Sequence, residues 1–201
     1  MFLYQFVKSE DHPAYQKMEV GNIKRQYDFL MDLIETAADV RRPFLSHHII
    51  RSLNFHAITC LHTNAGEYRP CQVLVSNHTP PAHYEVDALM DDFVNQVNRY
   101  WESANPIQLC AHVLWGLNHI HPFINGNGRT ARAACYFALC MKAGKLLPGT
   151  VILPELIRQN RDEYVSALQS ADKHDFQPLV DYLSRLVEEQ LASATTNPHA
   201  A

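Results

Sequence analysis

The stretch His121-Pro122-Phe123-Ile124-Asn125-Gly126-Asn127-Gly128-Arg129-Thr130-Ala131-Arg132 decides how this chain reads. It opens on a histidine, bends through two glycines and closes on two arginines three residues apart. Gly126 and Gly128 permit backbone angles that a side chain forbids, so successive amides can turn toward one point. Asn127 suits a helix cap, and Arg129 to Leu139 are mostly good helix formers. Free amides at a helix N-terminus attract phosphate, and guanidinium forks suit its oxygens. Arg129 and Arg132 are neighbours on such a helix and can reach one anion. Pro122 stiffens the entry and Phe123 pins it to a core, which leaves His121 as a base beside the anion.

On the N-terminal side of this stretch, apolar residues recur at helical spacing. Asn22–Ala38 reads as a helix, with Ile23, Tyr27, Leu30, Ile34 and Ala37 on one face. Pro43 breaks the pattern, and Ser46 caps a helix over His47–Leu61. Gly66-Glu67-Tyr68-Arg69-Pro70, then Cys71-Gln72-Val73-Leu74-Val75 and a turn-rich Asn77–Pro81, reads as a short hairpin. Its edge can pair with an extended peptide. Val86–Ser103 and Pro106–Ile120 are further helices, the second apolar on more than one side and so central. His119 and His121 form a His-x-His pair without a third metal ligand at a telling spacing, so metal binding there is the minor reading.

On the C-terminal side, Thr130–Lys142 continues as a buried helix that Gly144 ends. Leu153–Ala171 and Phe176–Ser193 are the last helices, and 194–201 is a loose tail. The count is seven or eight helices and one hairpin.

Composition narrows the class. A chain of 201 residues, 47% hydrophobic and 19% charged, suits one globular domain. A net charge of −4 offers no basic field for nucleic acid. No run is long enough to span a membrane. The N-terminal apolar run is too short for a signal peptide. Five cysteines without regular spacing predict reduced thiols. Cys60, Cys110, Cys135 and Cys140 fall on apolar helical stretches and are expected in the core.

The twelve-residue stretch resembles the motif of the Fic (Fido) domain family, His-Pro-Phe-x-Asp/Glu-Gly-Asn-Gly-Arg-x-x-Arg. Every fixed position matches except Asn125, where the family has an acidic residue. The resemblance extends over roughly residues 45–190. It implies an all-α, mainly helical Fic-like bundle with one small β-hairpin flap. The domain would span 22–193, after an N-terminal arm over 1–21 that packs on the body or on another subunit.

The activity the resemblance implies is that of a protein adenylyltransferase, which moves AMP from ATP to a Ser, Thr or Tyr hydroxyl of a target protein. His121 would be the general base. Asn125, Gly126, Asn127, Gly128, Arg129 and Arg132 would hold the phosphates, and Tyr164 with Asn160 would line the nucleobase pocket. Gly66, Tyr68, Arg69, Gln72, Val73 and Leu74 would form the flap that positions the target. ATP is the implied co-substrate and Mg2+ the implied metal, with Asn125 as its protein ligand.

Asn125 keeps an alternative open, because a carboxamide can ligate but carries no charge. The domain would then transfer another nucleotide, phosphate or phosphocholine, or bind nucleotide and peptide with little turnover. The implied setting is cytoplasmic, or the cytoplasm of another cell. The self-inhibitory pattern of the family, Ser/Thr-x-x-x-Glu-Gly/Asn, has no full match; Thr63–Glu67 and Ser184–Glu188 fit in part. A separate antitoxin-like chain and a homodimer both stay open.

Overall fold

A computed structural model describes residues 2–40, 44–75 and 78–195. Among them are nine α-helices: α1 Leu3–Val7, α2 Pro13–Val40, α3 His47–Ile58, α4 Val86–Arg99, α5 Pro106–Ile120, α6 Asn127–Ala143, α7 Leu153–Gln159, α8 Arg161–Ala171 and α9 Gln177–Thr195. A single 3-10 turn, His83–Glu85, precedes α4. The fold is all-α, as expected.

Helices α5 and α6 form the centre, packed against each other along their lengths. Residues from Ala133 to Met141 are buried on every side of α6, so that helix has no solvent face over two turns. Around the pair stand α2 and α3 on one side, α4 against α5, and α7 to α9 on the other. Leu53, Leu114, Leu117 and Phe137 belong to one continuous core. Burying each such side chain contributes on the order of 1.5–3 kcal/mol. The two central helices are joined by the residues from His121 to Gly126, so the densest part of the core fixes both ends of the motif loop.

Local rules explain several boundaries. Ser46 accepts the Ile49 amide and starts α3. Asn105 accepts the Ile107 amide, with Pro106 in the first turn of α5. Gly144, at φ 70°, closes α6.

Four expectations need correction. Helix α2 begins at Pro13, not Asn22, so much of the expected arm is helix. Its early turns are fixed by tertiary contacts: Tyr15 is fully buried and its hydroxyl meets His62 Nε2 at 2.9 Å. Leu153–Ala171 is two helices, because Asn160 leaves the helical region at φ −101°, ψ 47°. The hairpin is reduced to one antiparallel bridge, Val75 with His78, and no extended strand pair forms among the described residues. Three prolines, Pro70, Pro80 and Pro81, deprive both limbs of ladder donors. Cys60 is exposed rather than core, at φ 63° just past the end of α3. Pro43, the expected turn residue Asn77, and residues 196–201 of the expected tail lie outside the described residues.

Candidate active site

His121 is the C-cap of α5 in the left-handed region, at φ 52° and ψ 58°. A non-glycine residue held there stores about 1 kcal/mol of strain, which the surrounding contacts must offset. Arg69 supplies several of them. This arginine is 2% exposed and donates from Nε to the His121 carbonyl at 2.9 Å. Its own amide bonds the Pro122 carbonyl at 2.8 Å. Its guanidinium also reaches the carbonyls of Cys71 and Pro81, one on each limb of the flap. One buried cation thus ties the flap to the backbone of the histidine.

The loop then closes on itself. Asn127 is 3% exposed, and its side chain both accepts the Phe123 amide and donates to the Phe123 carbonyl, each at 2.9 Å. The Asn127 side chain braces the loop instead of pointing at an anion. The helix N-cap is Gly126, at φ 76°. A Cβ on Gly126 would sit 2.6 Å from Ile58 Cγ2, so glycine is required twice over. Gly128 is different. It lies inside α6, where the nearest atom to an added Cβ is Arg132 Nη1 at 3.3 Å. A side chain there would press the end of that guanidinium aside by a few tenths of an ångström.

Asn54, which the sequence reading passed over, is fully buried behind the loop. It donates to the Asn125 carbonyl at 2.9 Å and to Thr130 Oγ1, and accepts the Gly66 amide at 3.1 Å. One side chain therefore joins the motif loop to the start of the flap.

The two arginines part company. Arg129 pairs with Glu19 of α2 at 2.9 Å, donates to the Ala57 carbonyl and donates to Asn125 Oδ1 at 3.0 Å. The other end of that amide, Asn125 Nδ2, donates to Glu10 at 2.8 Å. Arg132 makes no ion pair among the described residues, and its buried Nε has no hydrogen-bond partner. A partly buried guanidinium left in this condition is a ready anion site.

Two cavities flank Arg132. One, of about 460 Å³, runs over the loop and is lined by Leu74, Val75, His121, Ile124 and the residues Asn125 to Arg129, with Arg132. The other, of about 270 Å³, reaches Trp115, Asn118, His119, Arg161, Tyr164 and Asp172. His121, Val75, Gly128 and Arg132 line both. Tyr164 lines the smaller cavity, its hydroxyl fixed by Asn118 Nδ2 at 2.8 Å. Burial pushes the Tyr164 phenol up to about 12, so it stays neutral. Asn160 does not line this cavity; it donates to the Leu156 carbonyl at the break between α7 and α8. Arg161, His78, Trp115 and Asp172 were missed. Arg161 stands three residues before Tyr164, and that spacing was the one cue for it.

The flap residues divide in the same way. Gly66 and Tyr68 belong to its base, with the Tyr68 hydroxyl on His47 Nδ1 at 2.7 Å and its ring on Phe123. Gln72 bonds the Pro80 carbonyl across the limbs at 3.2 Å. Val73 is half-buried, while Leu74 is 99% exposed at the edge of the larger cavity.

Burial lowers the His121 imidazole to about 4; a hydrogen bond to the Asn118 backbone acts in the opposite sense, and the His78 and Arg69 charges lower it further. The ring is neutral at pH 7 and can accept a proton. The donor set does not suit a resident magnesium. That ion wants several hard oxygens, usually with carboxylates. The larger cavity has no carboxylate among its lining residues, and Asn125 Oδ1 already accepts from Arg129.

A helical bundle with a glycine-bent loop at the mouth of its central helix, a neutral histidine and a flap beside it invites comparison with known proteins. Residues 44–139 match the family model described as Fic/DOC family. Two relatives, each named Protein adenylyltransferase Fic, come from Drosophila willistoni and Nematostella vectensis. They are 37% identical over 127 residues and 36% identical over 140. The matches cover 63% and 67% of this chain, which spans only 24% and 31% of those relatives. Among solved structures, a Fic domain containing signaling protein from Bacteroides thetaiotaomicron superposes with a TM-score of 0.71. It is 23% identical, over 85% of this chain and 69% of that one. Fic-1 from C. elegans gives 0.68 at 24% identity, over 89% and 52%. These structural likenesses concern the fold.

Proposed function

We propose that this domain transfers AMP from ATP to a Ser, Thr or Tyr hydroxyl of another protein. The observation that carries this reading is the meeting of two cavities at His121 and the unpaired Arg132. A triphosphate fits the loop side, where amides at the head of α6 and Arg132 meet its charge. A nucleobase fits the side lined by Tyr164 and Asn118. The names of the curated relatives point the same way.

In the reaction, the target oxygen attacks the α-phosphorus while the bond to the departing pyrophosphate breaks. The hydroxyl proton passes to His121. An imidazole this weakly basic takes the proton late, once the oxygen has begun to bond to phosphorus and its acidity has risen. Arg132 and the turn amides stabilise the charge that gathers on the phosphoryl oxygens. The target segment lies along Val73 to Val75, with exposed Leu74 as its apolar contact. Magnesium enters only as the counter-ion that a triphosphate carries in solution. The described cysteines are free thiols, in keeping with a cytoplasmic setting.

Labelled ATP and cell lysate test the reading. Label from the α-phosphate should appear on protein with wild type and vanish with His121→Ala, while nucleotide binding persists. Transfer of γ-label, or none of either label, overturns it.

A further inference from the structure

His119 finds its partners away from His121. Its Nδ1 lies 3.1 Å from Asp172 Oδ1, in the turn after α8. Its ring lies 5.1 Å, between centroids, from that of His78 on the far limb of the flap. One ligand atom from each of the three residues falls within 4.8 Å of the others. We propose that His78, His119 and Asp172 form a binding site for a zinc-type transition-metal ion, in the wall of the cavity that adjoins His121.

The chemistry selects the ion. Two imidazoles and one carboxylate are a borderline donor set, suited to zinc, cobalt or nickel; magnesium and calcium want oxygen alone. Zinc bonds nitrogen and oxygen at about 2.0–2.2 Å, which sets tetrahedral ligand atoms about 3.3–3.5 Å apart. The His119–Asp172 pair is already near that spacing, so His78 has the closing movement to make. It sits on the far limb of the flap, next to the Val75–His78 bridge.

The surroundings hold the ligands in aim. Trp115 Nε1 donates to Asp172 Oδ1 at 2.9 Å, and the Trp115 ring stacks on His119 at 4.8 Å between centroids. His78 Nε2 bonds the His119 carbonyl at 2.7 Å, which leaves Nδ1 to coordinate. A ligating imidazole whose other nitrogen donates to a carbonyl is the usual way such sites fix their rings. Three protein ligands leave one position for water or a solute in the cavity. A bound ion adds a link between the flap, α5 and the turn after α8, beside the hydrogen bonds of Arg69, His78, His119 and Trp115 that already join them.

The test is metal binding by the whole chain, without nucleotide. After chelator treatment and dialysis, the protein is titrated with Co2+, whose visible absorption reports tetrahedral coordination, and then with Zn2+ in competition. One saturable equivalent is expected, displaced by zinc and untouched by an excess of magnesium. His119→Ala and the near-isosteric Asp172→Asn should each weaken it at least tenfold, with helical circular dichroism unchanged. His48→Ala and Cys71→Ser should leave it intact. Zinc should also raise the melting temperature of wild type but not of Asp172→Asn. No saturable equivalent overturns the proposal, as does one that survives His119→Ala and Asp172→Asn or is lost with Cys71→Ser.

Discussion

Glu19 and Arg129 form an ion pair of 2.9 Å that fastens the early part of α2 to the first turn of α6. Arg129 is therefore occupied, while Arg132, three residues on, is not. The two arginines of the motif should behave differently. Arg132→Ala should weaken ATP binding at least tenfold, in line with the roughly 1.5–3 kcal/mol of a hydrogen bond to a charged group. Arg129→Ala should change that affinity less and lower the melting temperature more. Calorimetric titration and thermal melts on both variants check this; equal losses of affinity would count against it.

Asn125 sits between Arg129 and Glu10, accepting from one and donating to the other. Asn125→Asp, which restores the acidic residue of the family motif, sets a carboxylate against Glu10. At neutral pH that variant should lose on the order of 1 kcal/mol of stability. Glu10→Gln in the same chain should recover most of it, because the new amide can donate. A double-mutant cycle by urea denaturation measures the coupling. Additive effects would show that the two side chains do not feel each other.

His121 contributes to the pH dependence of stability with a definite sign. Its folded pKa, about 4, lies below the ordinary value of 6.5. Burial depresses His56, His62 and His112 in the same direction. Between those limits the unfolded chain binds more protons than the folded one. Stability is then fully present above about pH 6.5 and declines as the pH falls toward 4. His121→Asn should lose less on acidification than wild type; melts from pH 7.5 to 4.5 compare the two. The transfer rate should likewise show no limb at 6.5, since the base is already unprotonated there.

Asn54→Ala removes two donors and one acceptor from a fully buried position. The stranded groups on Asn125, Thr130 and Gly66 should cost about 1–3 kcal/mol. Nucleotide affinity should fall as the loop loosens. Chemical denaturation and a binding titration read the two effects separately; a variant as stable as wild type would deny Asn54 its bracing role.

Much of this arrangement was legible in the chain. Helix α5 was placed to the residue, since Asn105 and Pro106 mark its start and His121-Pro122 its end. The motif loop and its entry into α6 followed from local pattern, whereas the lowered pKa of His121 comes from burial that the sequence does not show. What stayed hidden depends on contacts distant in sequence. The early turns of α2 are exposed on most sides and are held through Tyr15 and Glu19, whose partners lie beyond position 60 in the chain. Asn127 looked like an anion donor until the buried Phe123 backbone claimed both its polar atoms. His78 and Asp172 carry no motif of their own; the flap brings the first beside His119 and the end of α8 brings the second.

Arg69 binds a carbonyl on each limb of the flap and the carbonyl of His121 with one guanidinium. The two limbs of the flap and the backbone of His121 are therefore fastened at one point. A foreign flap grafted onto this scaffold to redirect it to a new target would need to bring its own arginine to that spot. Without it, the graft would change what is seized and also misalign the imidazole that acts on it.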